Sequence, residues 1–290
     1  VQLYNYWGYN TVSFFAPNTS YAFHQDRLII NMGYSYNYNS VGGSIINNTI
    51  ASNSYSIRFN FESAGNVMYA LSKAANIRKN SNGEYAILGI PYAQYLKGEF
   101  DFAKNIRIDY RNSFAFHAGV GIAVPYGNAK TIPFEKQYFS GGANSVRGWS
   151  VRDLGPGSFA GNGNLLDQSG DIKLDASIEY RSKLFWKFQG AVFIDAGNIW
   201  TIRSYANQPG GVFKFDRFYK QIAVAYGLGL RLDLDFFILR FDGGMKAVNP
   251  AYETRKEHFP IIHPKFSRFL CLLASIFNFH HDIFLSFNLP

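Results

Sequence analysis

Along much of this chain, bulky apolar residues alternate with small or charged residues. A period of two places successive side chains on opposite faces of a β-strand, so the pattern predicts strands with two chemically different faces. The alternation is most regular at 114–124, 174–181, 222–233 and 237–246. We predict further strands near 12–23, 28–38, 55–62, 92–104, 188–199 and 276–289. The sequence therefore predicts an all-β fold of about ten strands.

The two faces of these strands differ in a way that is unusual for a soluble protein. In the strand at 114–124, Phe116 and Ile122 lie on one face and Gly119 and Gly121 on the other. A soluble sandwich or barrel rarely keeps many glycines on its polar face. In a transmembrane barrel the apolar face meets lipid, and small or charged residues line the lumen. We therefore expect a transmembrane antiparallel β-barrel and disfavour a soluble one.

The predicted connections also alternate in length. Short links are predicted at 109–112, 182–187 and 234–236, and long ones at 65–90, 125–171, 200–220 and 247–275. Short periplasmic turns that alternate with long outer loops are typical of outer-membrane barrels. Within the first long link, Val67, Leu71 and Ala74 are spaced as on a helix, which predicts a short surface helix at 64–77.

Composition narrows the class of protein further. Hydrophobic residues make up 47% and charged residues 17% of the chain, so disorder is not expected. A mean hydropathy of −0.12 is too polar for a bundle of membrane helices. The formal charge is +8, but lysines and arginines are scattered singly. We expect them to line a wet lumen or meet anionic headgroups, and we expect no nucleic-acid partner.

The longest predicted loop contains the run YFSGGANSVRGW at 138–149, followed by LGPG at 154–157. This run resembles the sixth-loop signature of the bacterial surface antigen family, the outer-membrane assembly and translocation barrels of the BamA and TamA type. DASIEYR at 175–181 resembles the twelfth strand of that family, and FIDAG at 193–197 resembles an element of its thirteenth strand. The resemblance covers 55–266.

The resemblance implies a set of site residues. In the family the Arg-Gly-aromatic tip of the loop folds back into the lumen, which makes this tip the candidate site here. The loop motif comprises Gly141, Gly142, Val146, Gly148 and Trp149, and the strand motif comprises Phe193 and Gly197.

A physical argument points to the partners of Arg147. Its guanidinium has five donors and keeps its charge. By alternation, Asp195 and Glu179 lie on the inward faces of their strands. A loop that brings Arg147 into the lumen can therefore meet both carboxylates. We call Arg147, Asp195 and Glu179 the arginine lock, and we expect it to be structural. Gly148 is expected to let the tip turn sharply, and Gly197 to leave room beside Asp195.

The resemblance also sets expectations for the architecture. Barrels of the family have sixteen strands and are preceded by periplasmic domains, so this chain would supply about the last ten strands. We expect a single outer-membrane β-barrel domain over 1–290 that is incomplete at its N-terminus and lacks the periplasmic domains. Residues 269–290 break the alternation and depart from the family pattern.

The resemblance implies that the protein inserts or exports β-barrel or surface proteins in the bacterial outer membrane without ATP. It would not be an enzyme and would need no cofactor. Its partners would be unfolded outer-membrane client proteins, outer-membrane lipid and a periplasmic or inner-membrane partner subunit. A two-partner secretion pore, a passive porin-like barrel and a barrel fused to an upstream lipase stay open as alternatives.

Two other sequence features, at 280–282 and at 5–10, do not predict a functional site. His280, His281 and Asp282 do not predict a metal site, because adjacent side chains on a strand point to opposite faces. The aromatic run at 5–10 resembles a segment of debranching enzymes, but the chain lacks the alternating helices of a (β/α)₈ barrel. We interpret that run as an aromatic interface segment.

Overall fold

A computed structural model of the chain describes residues 2–12, 27–40, 53–162, 167–234, 238–252 and 283–288. The elements in chain order are β1 (Gln2–Val12), β2 (Arg27–Asn39), β3 (Ser54–Ala64), α1 (Asn66–Ala74), β4 (Ala86–Ile87), β5 (Ile90–Pro91), β6 (Tyr95–Arg107), β7 (Asn112–Pro125), β8 (Ile172–Lys183), β9 (Phe188–Trp200), β10 (Ala223–Asp233), β11 (Ile238–Val248) and β12 (Ile283–Asn288). None of the helices in these ranges is long and apolar enough to cross a membrane.

The long strands form one antiparallel sheet in which sequence neighbours are also spatial neighbours. The order is β1-β2-β3-β6-β7-β8-β9-β10-β11-β12, and the short β4–β5 hairpin stands apart within the connection after α1. Pairing of β6 with β7 runs from Tyr95 opposite Pro125 to Arg107 opposite Ser113. Strands β2 to β11 of this sheet contain 11–14 residues each, which is enough for a tilted strand to cross a bilayer. The all-β prediction is confirmed.

The apolar side of the sheet faces outward. On β9, Val192 and Ile194 are 52% and 54% exposed, whereas the intervening Phe193 is 1% exposed and Asp195 is fully buried. Neighbouring strands repeat the arrangement with Val120, Ile122, Val124, Ile178, Leu228 and Leu230 exposed. A soluble core would require the opposite orientation. The outward face is therefore the lipid-facing side of an outer-membrane barrel fold, as the alternation predicted.

The ends of the sheet differ from the predicted strands. A strand was predicted at 12–23, but β1 occupies Gln2–Val12, and residues 13–26 lie outside the described part. The prediction missed β1 because aromatic residues at 4, 6, 7 and 9 fall on both faces and hide the period of two. The run at 5–10 is therefore strand, paired with β2. Of the strand predicted at 276–289, residues 283–288 form β12. The histidines at 280 and 281 and the atypical run at 269–274 lie outside the described residues.

The connections divide between the two ends of the sheet. Among the connections within the described ranges, the short turns at 108–111 and 184–187 lie at one end, and the long connection at 65–94 and the described parts of those at 126–171 and 201–222 lie at the other. The helix predicted at 64–77 is confirmed as α1. By the usual asymmetry of these barrels, the end with the long connections is the outer one.

The outward face can be tested with a charge placed at the middle of β9. Ile194→Lys is expected to reduce the free energy of folding into phospholipid vesicles by about 2–4 kcal/mol, because the ammonium would lie in hydrocarbon. Urea titrations followed by tryptophan fluorescence would measure the change. The control is Gln189→Lys on the opposite face of β9. Equal losses for the two variants would contradict the assignment of faces.

Candidate functional site

The connection from β7 to β8 folds back along the inner face of the sheet instead of staying at the outer end of the strands. The amide of Gly142 donates a hydrogen bond to the Trp149 carbonyl oxygen at 2.8 Å, and the amide of Arg152 donates one to the Ser140 carbonyl oxygen at 3.1 Å. These bonds close a narrow tip. Gly141 and Gly142 allow it, because their φ angles of 96° and 86° lie in the left-handed region.

Arg147 lies at this tip and binds both predicted carboxylates. Its Nε and Nη2 donate to Oδ2 and Oδ1 of Asp195 at 2.7 and 2.8 Å, which makes the pair bidentate. Its Nη1 donates to Oε2 of Glu179 at 2.7 Å. Its backbone amide also donates to Asp195 at 3.1 Å. The structure thus brings together the three residues of the arginine lock, all buried.

The charge of Arg147 is maintained by these partners. Burial opposes the charged form, but the hydrogen bonds and negative charge of Asp195 and Glu179 outweigh it and raise the pKa of the guanidinium. The site therefore holds a charged guanidinium among carboxylate oxygens, and such a cluster can hold a loop in place.

Three further contacts of Arg147 were not predicted. Nη1 lies 3.3 Å from Oδ2 of Asp242 on β11, Nη2 donates to the Ser177 hydroxyl at 3.2 Å, and Cζ lies 3.5 Å from the centroid of the Phe193 ring. By alternation Asp242 lies on the inward face of its predicted strand, so the sequence pattern could have identified it as a candidate partner of Arg147. Phe193 and Asp195 are two residues apart on β9 and share a face, so one motif supplies both an aromatic platform and a carboxylate.

The carboxylates differ in how strongly they depend on Arg147. Glu179 also pairs with Arg181 and Arg231, and Asp242 also pairs with Arg240. Within the described residues, Asp195 has one other partner, the Ser177 hydroxyl at 2.7 Å. Loss of Arg147 would therefore leave a buried charge mainly at Asp195.

Apolar packing fixes the backbone around the lock. Val146, Trp149 and Leu154 form a buried cluster with Ala223 and Ala225 of β10. Gly148 lies against the same strand, because a Cβ added there would be 2.9 Å from the Ala225 Cβ. Gly148 lies in the sharp turn that was expected, because the amide of Trp149 donates to the Val146 carbonyl oxygen at 3.3 Å across Arg147 and Gly148. Its φ is not in the positive region where Gly141 and Gly142 lie, so the turn alone does not require a glycine. Gly148 is small because the tip packs closely on β10.

Gly197 provides space as predicted, but for different neighbours. A Cβ there would lie 2.6 Å from the Leu174 carbonyl oxygen of β8 and 3.1 Å from a methyl group of Val146. Gly197 therefore makes room for the adjacent strand and for the loop tip. Five members of the two motifs lie where the loop meets β8, β9 and β10, whereas Gly141 and Gly142 close the tip of the loop itself: the five are Val146, Gly148, Trp149, Phe193 and Gly197.

A second attachment holds the same loop near its start, on the preceding strands of the sheet. Lys136 pairs with Glu62 of β3 at 2.7 Å, and the Tyr138 hydroxyl donates to the Gly98 carbonyl oxygen of β6 at 3.2 Å. The Tyr138 ring lies directly over Gly121 of β7. Burial raises the pKa of the Tyr138 phenol, so it stays a neutral donor. Between these attachments the loop runs along the inner face of the sheet, from β3, β6 and β7 to β8, β9 and β11.

Space remains beside the tip. A cavity of about 410 Å³ extends along the inner wall, with Ser145, Ser177 and Arg181 among its polar lining residues. Within the described ranges no group of three or more His, Cys, Asp and Glu side chains could hold a metal ion. The site is thus a polar inner face with an attached loop.

Residues 4–261 of the chain match the Omp85 superfamily domain, which covers most of its 290 residues. The chain belongs to the Omp85 superfamily. Over 95 residues it is 35% identical to the outer membrane protein assembly factor BamA of Neisseria meningitidis serogroup B, strain ATCC BAA-335 / MC58. That stretch is 30% of this chain and 11% of the relative, so the chain spans a small part of the relative's length.

Two solved structures are also similar to this Omp85 chain. BamA from Haemophilus ducreyi lacking POTRA domains 1–3 gives a TM-score of 0.46 at 16% identity, covering 88% of this chain and 56% of that one. CdiB from Acinetobacter baumannii gives a TM-score of 0.32 at 12% identity, and the match covers 79% of this chain and 41% of that one. Membership in the Omp85 superfamily and the outward apolar face place the protein in the bacterial outer membrane.

The unequal dependence of the carboxylates predicts a pattern of coupling. In the full-length protein, Arg147→Ala is expected to lower the free energy of unfolding by on the order of 3–5 kcal/mol, because a buried charge loses its partner. The double variant Arg147→Ala/Asp195→Ala should be little less stable than Arg147→Ala alone. The coupling energy between Arg147→Ala and Glu179→Ala should be smaller than that between Arg147→Ala and Asp195→Ala. Urea unfolding in bilayers would measure the double-mutant cycles.

The control for this cycle is Arg111→Ala at an exposed short turn, which should change stability by less than about 0.5 kcal/mol. Additive effects of Arg147→Ala and Asp195→Ala would refute the view that the two side chains act as a unit.

The packing of Gly148 on β10 predicts a compensating pair of substitutions. Gly148→Ala should displace the tip and lower the temperature at which the barrel loses its heat-resistant gel mobility. Ala225→Gly removes the nearest obstructing atom and should restore part of that temperature. Gly98→Ala is the matched control, because an added Cβ there meets nothing within 4 Å. A failure of Ala225→Gly to improve the Gly148→Ala variant would count against close packing as the reason for this glycine.

Proposed function

We propose that this chain forms the membrane barrel of a factor that inserts β-barrel proteins into the outer membrane or exports surface proteins across it. The process would use neither ATP nor a cofactor and would involve no bond-making chemistry. Membership in the Omp85 superfamily supports this proposal, as does the identity shared with a protein named an assembly factor. The observation that carries it is the buried contact of Arg147 with carboxylates of three strands.

The contact matters because of what it holds. A passive pore needs an open lumen, whereas here a loop lies against the inner face of the sheet and is fastened to strands from β3 to β11. A charged pair with this degree of burial is costly to form unless every donor is used. A loop held in this way suits a barrel whose interior is closed at rest and whose strand edges bind the client.

The wall offers a place where a client could pair. β12 is the last strand of the sheet, and its pairing with β11 spans six residues, from Gly243 opposite Ile283 to Ile238 opposite Asn288. A strand edge presents unpaired amide and carbonyl groups to an incoming strand. We propose that the ten strands are the last ten of a sixteen-stranded barrel in a single domain. The short pairing of β12 would then form one side of a seam that templates unfolded clients.

The proposed partners follow from this mechanism. Clients would be unfolded outer-membrane proteins, the surroundings would be outer-membrane lipid, and a periplasmic or inner-membrane subunit would deliver clients. The arginine lock would act by keeping the loop seated while the seam opens, so its role would be structural.

The proposal can be tested in the native bacterium with the full-length protein. Arg147→Lys keeps the charge but cannot bind bidentately, so it should lower the amounts of several folded β-barrel proteins in the outer membrane by severalfold. Quantitative mass spectrometry of membrane fractions would measure them. Arg111→Lys, at an exposed turn, serves as the control. The amount of the variant itself must match the parent, so that reduced assembly of the barrel is not mistaken for reduced activity.

Each alternative function gives a different result. If only one exported protein were lost from the cell surface, a two-partner secretion pore would be favoured. A large and stable conductance of the unmodified protein in single-channel recordings, with client levels unchanged by Arg147→Lys, would favour a passive porin-like barrel and overturn the proposal.

A further inference from the structure

The connection between β9 and β10 ends in a segment, residues 213–221, that folds over the lipid-facing side of the sheet. Trp200, at the end of β9, shares the outward face with Val192 and Ile194, yet it is completely buried. Phe213 and Phe218 cover it, with ring centroids 5.6 and 6.3 Å from that of Trp200. We call residues 213–221 the aromatic segment.

Hydrogen bonds fix the aromatic segment in this position. The Trp200 indole N–H donates to the Gln221 side-chain oxygen at 2.9 Å, and the amide of Phe213 donates to the Thr201 carbonyl oxygen at 2.9 Å. The segment is therefore fixed in a defined position on the outward face of the sheet. It lies at the end of the sheet that has the long connections, where the barrel passes from hydrocarbon to the outer headgroups.

The aromatic segment also presents apolar surface away from the protein. Phe215 is 85% exposed and Tyr219 is 58% exposed. Each meets an inner ring edge to face, Phe215 with Phe213 at 5.0 Å and Tyr219 with Phe218 at 6.2 Å between ring centroids. Because the half-buried inner rings occupy the space beneath them, the exposed rings have little freedom to collapse inward and are presented to whatever surrounds the barrel.

Basic side chains are interleaved with these rings. Lys214, Arg217 and Lys220 are exposed, and the segment contains one acid, Asp216, which pairs with Arg217 at 3.1 Å. Three basic groups and one acid give the segment a formal charge of +2. Within the described residues, Lys214 and Lys220 have no carboxylate at ion-pair distance. Cations and aromatic rings side by side suit a partner that has both anionic groups and apolar chains.

We propose that the aromatic segment binds a phosphorylated glycolipid of the outer leaflet. Phe215 and Tyr219 pack against its acyl chains, and Lys214, Lys220 and Arg217 bind its phosphate groups. The surface continues the lipid-facing side of β9, which favours a membrane lipid over a soluble protein or a nucleic acid. This inference concerns the outer wall of the barrel and is independent of client assembly.

The test uses purified full-length protein in detergent and two probes, lipid A that carries both phosphates and lipid A that has been dephosphorylated. Native mass spectrometry measures the fraction of protein that retains each lipid. The unmodified protein should retain the phosphorylated form preferentially. The double variant Lys214→Gln/Lys220→Gln should bind it on the order of tenfold more weakly and lose the preference. Phe215→Ser/Tyr219→Ser should weaken binding of both forms.

The matched control is Arg111→Gln/Lys183→Gln, which removes two basic groups at the opposite end of the sheet. Strand content from circular dichroism establishes that each variant is folded, and all the substituted side chains of the aromatic segment are exposed. Equal retention of the two lipids by the unmodified protein would overturn the proposal. So would unchanged preference in the double lysine variant, or an equal loss in the control. Unchanged binding of both lipids by Phe215→Ser/Tyr219→Ser would show that the acyl chains are not recognised and would equally refute it.

Discussion

The structure depends on a single cation placed inside a polar interior. Arg147 binds Asp195 through two parallel hydrogen bonds and reaches Glu179 with its remaining terminal nitrogen. These contacts fix the position of the tip of a long loop, and the packing of Val146, Trp149 and Gly148 against β10 supports the same position. The guanidinium keeps its charge, so its side of these pairs does not vary with pH.

That arrangement is stable because the surrounding sheet has its apolar face outward and its polar face inward, the opposite of a soluble barrel. Side chains such as Val192 and Ile194 point to lipid, which leaves the inner face free for glycines, acids and arginines. In a soluble barrel the same carboxylates would compete with a hydrophobic core for the interior. Here three carboxylates and four arginines share one region, with Glu179 bound to three of the arginines. Burial of each charge is offset by neighbours of the opposite sign.

Sequence reasoning found the faces of the strands better than the contacts between them. Alternation put Glu179 and Asp195 on the inner face, and the loop motif identified Arg147 as their partner. It could not show that Asp242 also reaches Arg147, because that depends on the curvature of the sheet from β8 to β11. It missed β1, where aromatic residues occupy both faces, and it missed the pairing of Lys136 with Glu62, which joins positions far apart in the chain. The role of Gly148 depends on close packing with Ala225, which no local pattern reveals.

The two attachments of the loop have a mechanical consequence. Tyr138 is fastened near β6 and β7, and Arg147 is fastened to β8, β9 and β11, with one short stretch of chain between them. This stretch therefore links β6 and β7 to β8, β9 and β11 by contacts that are separate from the hydrogen bonds of the sheet. Any change in the curvature of the sheet between β6 and β11 must stretch this link or detach one of its ends, so the loop braces the shape of the sheet from its inner face.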